Sequence, residues 1–135
     1  VKAEENIRQL GASVLHLAGI FGENRDPLSW LKRGMIKNGA SFVNLIHVRD
    51  ITRTAEAWFK NPLASERLNL SNGKPKRWNE IVEELKNRKE LSQDFKLPET
   101  WPPQGSKQVI IDKICVRLGL EARDFLDFPC DLKRD

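Results

Sequence analysis

The chain has 135 residues, 39% of them hydrophobic and 31% charged, a composition that excludes a disordered polymer and suits one domain with a real core. Its net charge of +4 and pI of about 9.2 make it mildly basic, which permits an acidic partner such as a nucleotide phosphate or RNA without requiring one. No apolar run approaches the ~20 residues a membrane helix needs, and the first residues, Val1-Lys2-Ala3-Glu4-Glu5, carry no signal-peptide pattern.

Those first residues read as the middle of a helix, which predicts a piece of something longer. Residues 2–10 place Ala3, Ile7 and Leu10 on one face of that helix, and Gly11 stops it. A strand over 13–18 and a loop over 19–25 follow. Asp26-Pro27 then supplies an N-cap and a proline at the first helical position, for a helix carrying Leu28, Trp30 and Leu31 that fades near Gly34. After the Asn38-Gly39 turn comes a near-continuous apolar run, 42–48, short enough for a strand buried on both faces. Asp50 is placed to cap the next helix, in which Ile51, Thr54, Ala55 and Trp58 fall at helical spacing. Asn61-Pro62 ends it, 67–70 reads as a short strand, and Ser71-Asn72-Gly73 turns the chain. A helix over 77–88 presents Trp78, Ile81, Val82 and Leu85. The pattern lapses over 86–105, where Pro98, Trp101, Pro102 and Pro103 make an irregular arm. Ser106 is placed to cap a last helix with Val109, Ile110, Ile114 and Leu118 inward and Gly119 at its stop. Strands alternating with helices argue for an α/β fold with parallel pairing, with the 13–18 and 67–70 strands as candidates for adjacency through a long crossover.

Three stretches, in this order and spacing, resemble a known family. Phe42-Val43-Asn44-Leu45-Ile46-His47-Val48, followed one residue later by Asp50, is similar to a segment in the C-terminal half of extended short-chain dehydrogenase/reductases, the NAD-dependent epimerase/dehydratase group. The segment from Glu4-Glu5 to Val14-Leu15-His16-Leu17-Ala18-Gly19-Ile20-Phe21-Gly22 resembles that family's sixth sheet strand and the loop after it, and Arg67-Leu68-Asn69-Leu70-Ser71 its last sheet strand. Residues 3–88 are covered, with a weaker echo in the tail. The resemblance implies edge strands of a Rossmann-like parallel sheet together with a small helical/β substrate lobe to which the 42–48 strand belongs. Residues 1–90 would form this partial domain, and the arm and helix of 91–135 would pack on it.

Two requirements of the family's chemistry can be checked directly. One is a glycine-rich turn whose backbone approaches a pyrophosphate; no G-x-G-x-x-G or close variant occurs. The other is a tyrosine four residues before a lysine. The chain contains no tyrosine, and the spacing of Lys2 to Glu4 and Glu5 departs from the family's pattern, so Lys2 is not assigned. The resemblance therefore implies the substrate-lobe portion of an NAD(P)-dependent enzyme, with NAD or NADP bound by the whole protein, no tight cofactor binding by this chain alone, and a missing N-terminal dinucleotide-binding half as its partner.

By the same resemblance, backbone groups of Gly19 and Phe21 pass near the nicotinamide, although glycines at such positions ordinarily just turn a chain. Arg25 is a candidate for a substrate phosphate or sugar hydroxyl through its fork of donors, against the plain reading of a solvated arginine. Asn44 and His47 are candidates for the substrate pocket, against the alternative that they satisfy nearby backbone. His16 stands where relatives commonly carry arginine. Two histidines without a third spaced ligand argue against a metal.

Lys74-Pro75-Lys76-Arg77-Trp78 is the densest basic cluster with an aromatic, a weak nucleic-acid candidate because Trp78 is in register with the helix core. Phe125, Leu126 and Phe128 carry more apolar surface than a free tail needs and predict packing on the domain or on a protein partner. Cys115 and Cys130 lie too far apart for a redox or zinc pair, so a reducing soluble compartment is the simpler expectation. The readings that compete with the enzyme lobe are a non-catalytic scaffold or assembly subunit of the same fold and an RNA-binding module.

Overall fold

The computed structural model describes residues 2–103 and 106–129. Helix α1 (Lys2–Gln9) ends where Gly11, at φ +85°, takes the left-handed conformation. The N–H groups of Gly11 and Ala12 then bond back to the carbonyls of Arg8 and Ile7 and satisfy carbonyls the helix end would leave open. Strand β1 (Val14–Leu17) follows. After Ala18 the chain continues as β2 (Gly19–Phe21), so the expected loop over 19–25 is extended in its first half. Helix α2 (Pro27–Lys32) starts as predicted, with Asp26 Oδ1 accepting from the Ser29 N–H at 2.9 Å.

The apolar run 42–48 is not one strand but two. Strand β3 (Phe42–Val43) pairs antiparallel with β6 (Lys76–Arg77), and β4 (Leu45–His47) pairs parallel with β2 in the register Gly19↔Leu45, Ile20↔Ile46, Phe21↔His47. Asn44 sits at the change of partner. Helix α3 (Val48–Lys60) follows with no loop. Its N-cap is His47, whose Nδ1 accepts from the Arg49 N–H at 3.1 Å, and not Asp50, which lies inside the first turn. Strand β5 (Arg67–Leu70) pairs parallel with β1 from Val14↔Arg67 to Leu17↔Leu70, the adjacency the alternation pattern predicts, and β2–β4 and β3–β6 are separate small sheets. Helix α4 (Trp78–Asn87) closes this part.

The last helix, α5 (Asp112–Leu118), has Ile111 and not Ser106 at its N-cap, so it begins five residues later than expected. Ser106 Oγ instead accepts from the Phe42 N–H, and the Val109 N–H is drawn to Asn44 Oδ1, so 106–109 runs beside β3 and β4 rather than coiling. Ile110 is 73% exposed, contrary to the inward position expected for it, while Ile114 and Leu118 are buried and Gly119 ends the helix at φ +64°.

Side chains alternate across a strand, and this divides the core in two. On one side of the β2–β4 ribbon, Phe21 and Leu45 join Leu31, Trp78, Ile81, Leu85 and Phe128. On the other, Ile46 and Ile20 meet Leu68, Leu70, Ile114 and Phe125. Helix α1 buries no residue: Ile7 is 48% exposed, Leu10 87% and Leu17 on β1 40%. Among the described residues, nothing buries the apolar face the sequence predicts for α1. No described helix is long and apolar enough to cross a membrane.

Candidate functional site

The ribbon β2–β4 brings four of the five predicted site residues together. The Gly19 N–H donates to the Asn44 carbonyl at 2.9 Å, and Phe21 lies opposite His47, with ring centroids 4.9 Å apart, edge to face. Arg25 stands beyond, where Gly22 and Arg25 exchange backbone hydrogen bonds of 2.9 and 3.1 Å and turn the chain towards α2. Gly22 packs against the start of α3: a Cβ there would lie 2.9 Å from Val48 Cγ2, and one at Gly19 would lie 3.0 Å from the Asn44 carbonyl oxygen. Both glycines are thus needed for the close approach of β2 to β4 and α3.

The side chains divide by availability. Phe21 is fully buried and touches Phe128 as well as His47. His47 is 2% exposed, and its Nε2 has no hydrogen-bond partner among the described residues. Because Nδ1 accepts, the neutral ring carries its proton on Nε2. Burial holds its pKa below the ordinary 6.5, with the Asp50 carboxylate opposing and the Arg49 cation reinforcing. Both polar atoms of the Asn44 amide are engaged: Nδ2 donates to the Lys107 carbonyl and Oδ1 accepts from Val109, both at 2.7 Å. Arg25 is exposed, and no side-chain hydrogen bond or ion pair involves it among the described residues, so its guanidinium is open to a ligand.

Asp50, expected only to cap, is 2% exposed and accepts from the Leu126 N–H at 2.7 Å, with Arg53 Nη1 3.5 Å from its other oxygen. A buried aspartate just after an apolar strand was the signal for this tie, but its partner is 76 residues away. A second polar cluster escapes sequence reasoning altogether. His16 Nε2 accepts from Arg67 Nε at 3.4 Å and lies 3.3 Å from Glu4 Oε2, which Arg67 Nη2 also reaches at 3.3 Å. An arginine from β5 therefore stands beside His16 on β1. Next to it a hollow of about 290 Å³ is lined by Lys2, Glu4, Glu5, Asn6, Arg8 and Arg67.

The basic cluster at 74–78 offers no stacking face from Trp78, which is 7% exposed and packs edge to face on Trp30. Lys76 is ion-paired to Glu84 and Asp127 at 2.9 and 3.0 Å. Among the described residues no group of three or more His, Cys, Asp or Glu side chains could share a metal ion. Cys115 carries a free thiol, and Cys130 lies outside the described residues. Nor do the described residues fit a dinucleotide cradle. No glycine-rich strand-to-helix turn is present, the Gly19 N–H is taken, and the Phe21 ring is in the core.

No family model and no curated protein matches the chain. Solved structures do. The enzyme WbmG of Bordetella bronchiseptica, solved with NAD and UDP, is similar with a TM-score of 0.62 and 18% identity, over 87% of this chain and 41% of that one. UDP-N-acetylglucosamine 4-epimerase of Methanobrevibacter ruminantium, solved with UDP-N-acetylmuramic acid, gives 0.63 and 17%, over 89% and 43%. dTDP-glucose 4,6-dehydratase of Bacillus anthracis, solved with NAD, gives 0.61 and 16%, over 88% and 42%. The chain has the fold of part of these epimerase and dehydratase structures, and it spans about two-fifths of their length.

Proposed function

We propose that this chain is the C-terminal, substrate-lobe portion of an NAD(P)-dependent epimerase, dehydratase or reductase, and that it is not catalytically competent without a complementary dinucleotide-binding half. The observation that carries this reading is the uncovered side of β1. The N–H groups of Val14 and Ala18 point to β5, so by alternation those of Leu15 and Leu17 point to the other edge, where no described strand pairs. Parallel sheets occur almost only with both faces covered, yet here two parallel strands stand alone beside exposed Ile7, Leu10 and Leu17. A further parallel strand alongside β1, with its helices, would cover all three.

In the assembled protein, NAD or NADP would be held by the other half, with the backbone of Gly19 and Phe21 at its nicotinamide end. Arg25 would receive a substrate phosphate or sugar hydroxyl, and Asn44 and His47 would form the wall behind it. The free Cys115 thiol suits a reducing compartment.

Two measurements test this. The natural reading frame upstream of Val1 should encode a glycine-rich strand-to-helix turn and a tyrosine four residues before a lysine; an upstream frame encoding neither sinks the reading. Titration of the isolated chain with NADH and NADPH, followed by nucleotide fluorescence, should show no saturation, and tight saturable binding would refute the need for a second half.

The engaged Asn44 amide and buried His47 favour a second reading, a scaffold subunit that kept the fold and lost the site. Full-length protein that binds its partners but neither NAD(P) nor a sugar nucleotide would select it.

A further inference from the structure

The C-terminal segment is held in a way that the fold alone does not demand. Five main-chain oxygens between Asp124 and Pro129 are capped by side chains from the body of the protein. The Asp124 carbonyl accepts from Arg53 Nη1 at 3.0 Å, Phe125 from Lys74 Nζ at 2.7 Å, and Leu126 from Asn72 Nδ2 at 3.4 Å. The Phe128 carbonyl accepts from Lys76 Nζ at 2.9 Å and that of Pro129 from Arg88 Nη2 at 2.9 Å. In the opposite sense, the Leu126 N–H donates to Asp50 Oδ2 at 2.7 Å. These contacts read backbone and are indifferent to side-chain identity. Selectivity comes from three side chains: Phe125 and Phe128, 2% and 7% exposed, enter the two separate cores, and Asp127 lies between them, 3.0 Å from Lys76 Nζ and 3.2 Å from Asn72 Nδ2. Main-chain hydrogen bonds for affinity and spaced side-chain pockets for specificity are the marks of peptide recognition.

We propose that the groove floored by Asn72, Lys74 and Lys76 and flanked by Asp50, Arg53 and Arg88 is a peptide-recognition surface. Its ligand is an acidic segment with aromatic residues three apart, and residues 124–129 of this chain occupy it in cis. The cations of the 74–76 stretch thus serve carbonyl oxygens and an aspartate rather than nucleic-acid phosphates. A partner segment of the same chemistry gains the groove by displacing the tail. This proposal is independent of any dehydrogenase chemistry and stands on the tail contacts alone.

The test uses a labelled synthetic peptide of residues 121–129 and the full chain, with binding followed by fluorescence anisotropy. The Phe125→Ala/Phe128→Ala chain, its own tail released, should bind the peptide saturably. The parent, with its groove filled, should bind about tenfold or more weakly, because only the tail-open fraction is competent. Adding Lys74→Gln and Asn72→Ala to the tail-released chain should abolish binding. A folded tail-released chain that ignores the peptide, or that takes a uridine oligonucleotide in its place, overturns the proposal. If the double variant does not fold, native-state hydrogen exchange of the parent decides. Amides of 121–129 should open together well before those of α4, and opening only with global unfolding would show that the tail is ordinary core.

Discussion

His47 combines three features: it caps α3, packs edge to face on Phe21, and keeps its Nε2 buried with no partner among the described residues. The cap requires a bare Nδ1, so protonating the ring both breaks the Arg49 bond and buries a charge. Because the folded-state pKa is lowered from 6.5, the unfolded chain takes up the proton first. Stability is therefore full above the ordinary histidine value and is lost as pH falls through it towards the lower folded value. Urea midpoints should drop between pH 7.5 and 5.5. In His47→Asn, which can still cap, that part of the pH slope should vanish, whereas His47→Ala should cost about 1 to 2 kcal/mol from the cap alone. An unchanged slope in the asparagine variant would refute this account. At Gly22 the issue is space. A methyl group there meets the stiff, β-branched Val48, so Gly22→Ala should destabilise by about 1 to 3 kcal/mol. Val48 is 45% exposed, so adding Val48→Ala should recover most of that loss, and additive effects in the double-mutant cycle would count against a direct clash.

Among elements, the arm after α4 shows how side chains shape backbone. Leu97 joins one core and Ile111 the other, and between them the chain is fastened mainly by polar groups of 38–44. The Gly39 N–H bonds to the Pro98 carbonyl at 2.7 Å, Asn38 bonds to both backbone groups of Thr100, and Asn44 holds Lys107 and Val109. Arg77 lies between the rings of Phe42 and Trp101, 4.2 and 4.6 Å from their centroids. Asn44→Ala removes two bonds to the arm and none from the β2–β4 ladder. Amides of 106–110 should then exchange at least about tenfold faster, as loss of roughly 1.5 kcal/mol of local protection requires, with α3 and α4 unchanged. Equal exchange in variant and parent would show that the arm is held by its apolar ends. The prediction of a helix from Ser106 failed for the same reason. The 106–110 pattern suits a helix, but Asn44 and the Phe42 N–H hold the chain extended beside β3 and β4. Helices α2 and α4, whose starts and stops are encoded locally by Asp26-Pro27, Gly34 and the Trp78 face, fall where the sequence places them.

At the scale of the molecule, the consequential feature is what the chain leaves uncovered. An open strand edge flanked by apolar side chains is a template for association. The isolated chain should therefore gain apparent mass with concentration in sedimentation velocity. Leu10→Lys/Leu17→Lys should stay monomeric with an unchanged circular dichroism spectrum, because both positions are already solvent-facing. A parent that stays monomeric throughout the accessible concentration range would show that this face needs no cover.

The sequence alone determined the alternation of strands and helices, the parallel kinship of 13–18 with 67–70, the helix ends marked by proline and glycine, and the likeness in fold to part of an epimerase or dehydratase. All of these rest on signals carried within a few residues or in the order of segments. Tertiary structure decided the rest: the division of 42–48 between two sheets, His47 rather than Asp50 as the cap of α3, the engagement of Asn44 by the arm, and the seating of the tail among Asn72, Lys74 and Lys76. The two sheets take 42–48 to partners at 19–21 and 76–77, and the side-chain partners of Asn44, Asp50 and the tail lie 51 to 76 residues away. A residue's spacing to its neighbours reports which face it occupies, but the atom that satisfies its hydrogen bond is chosen only when distant segments are brought together.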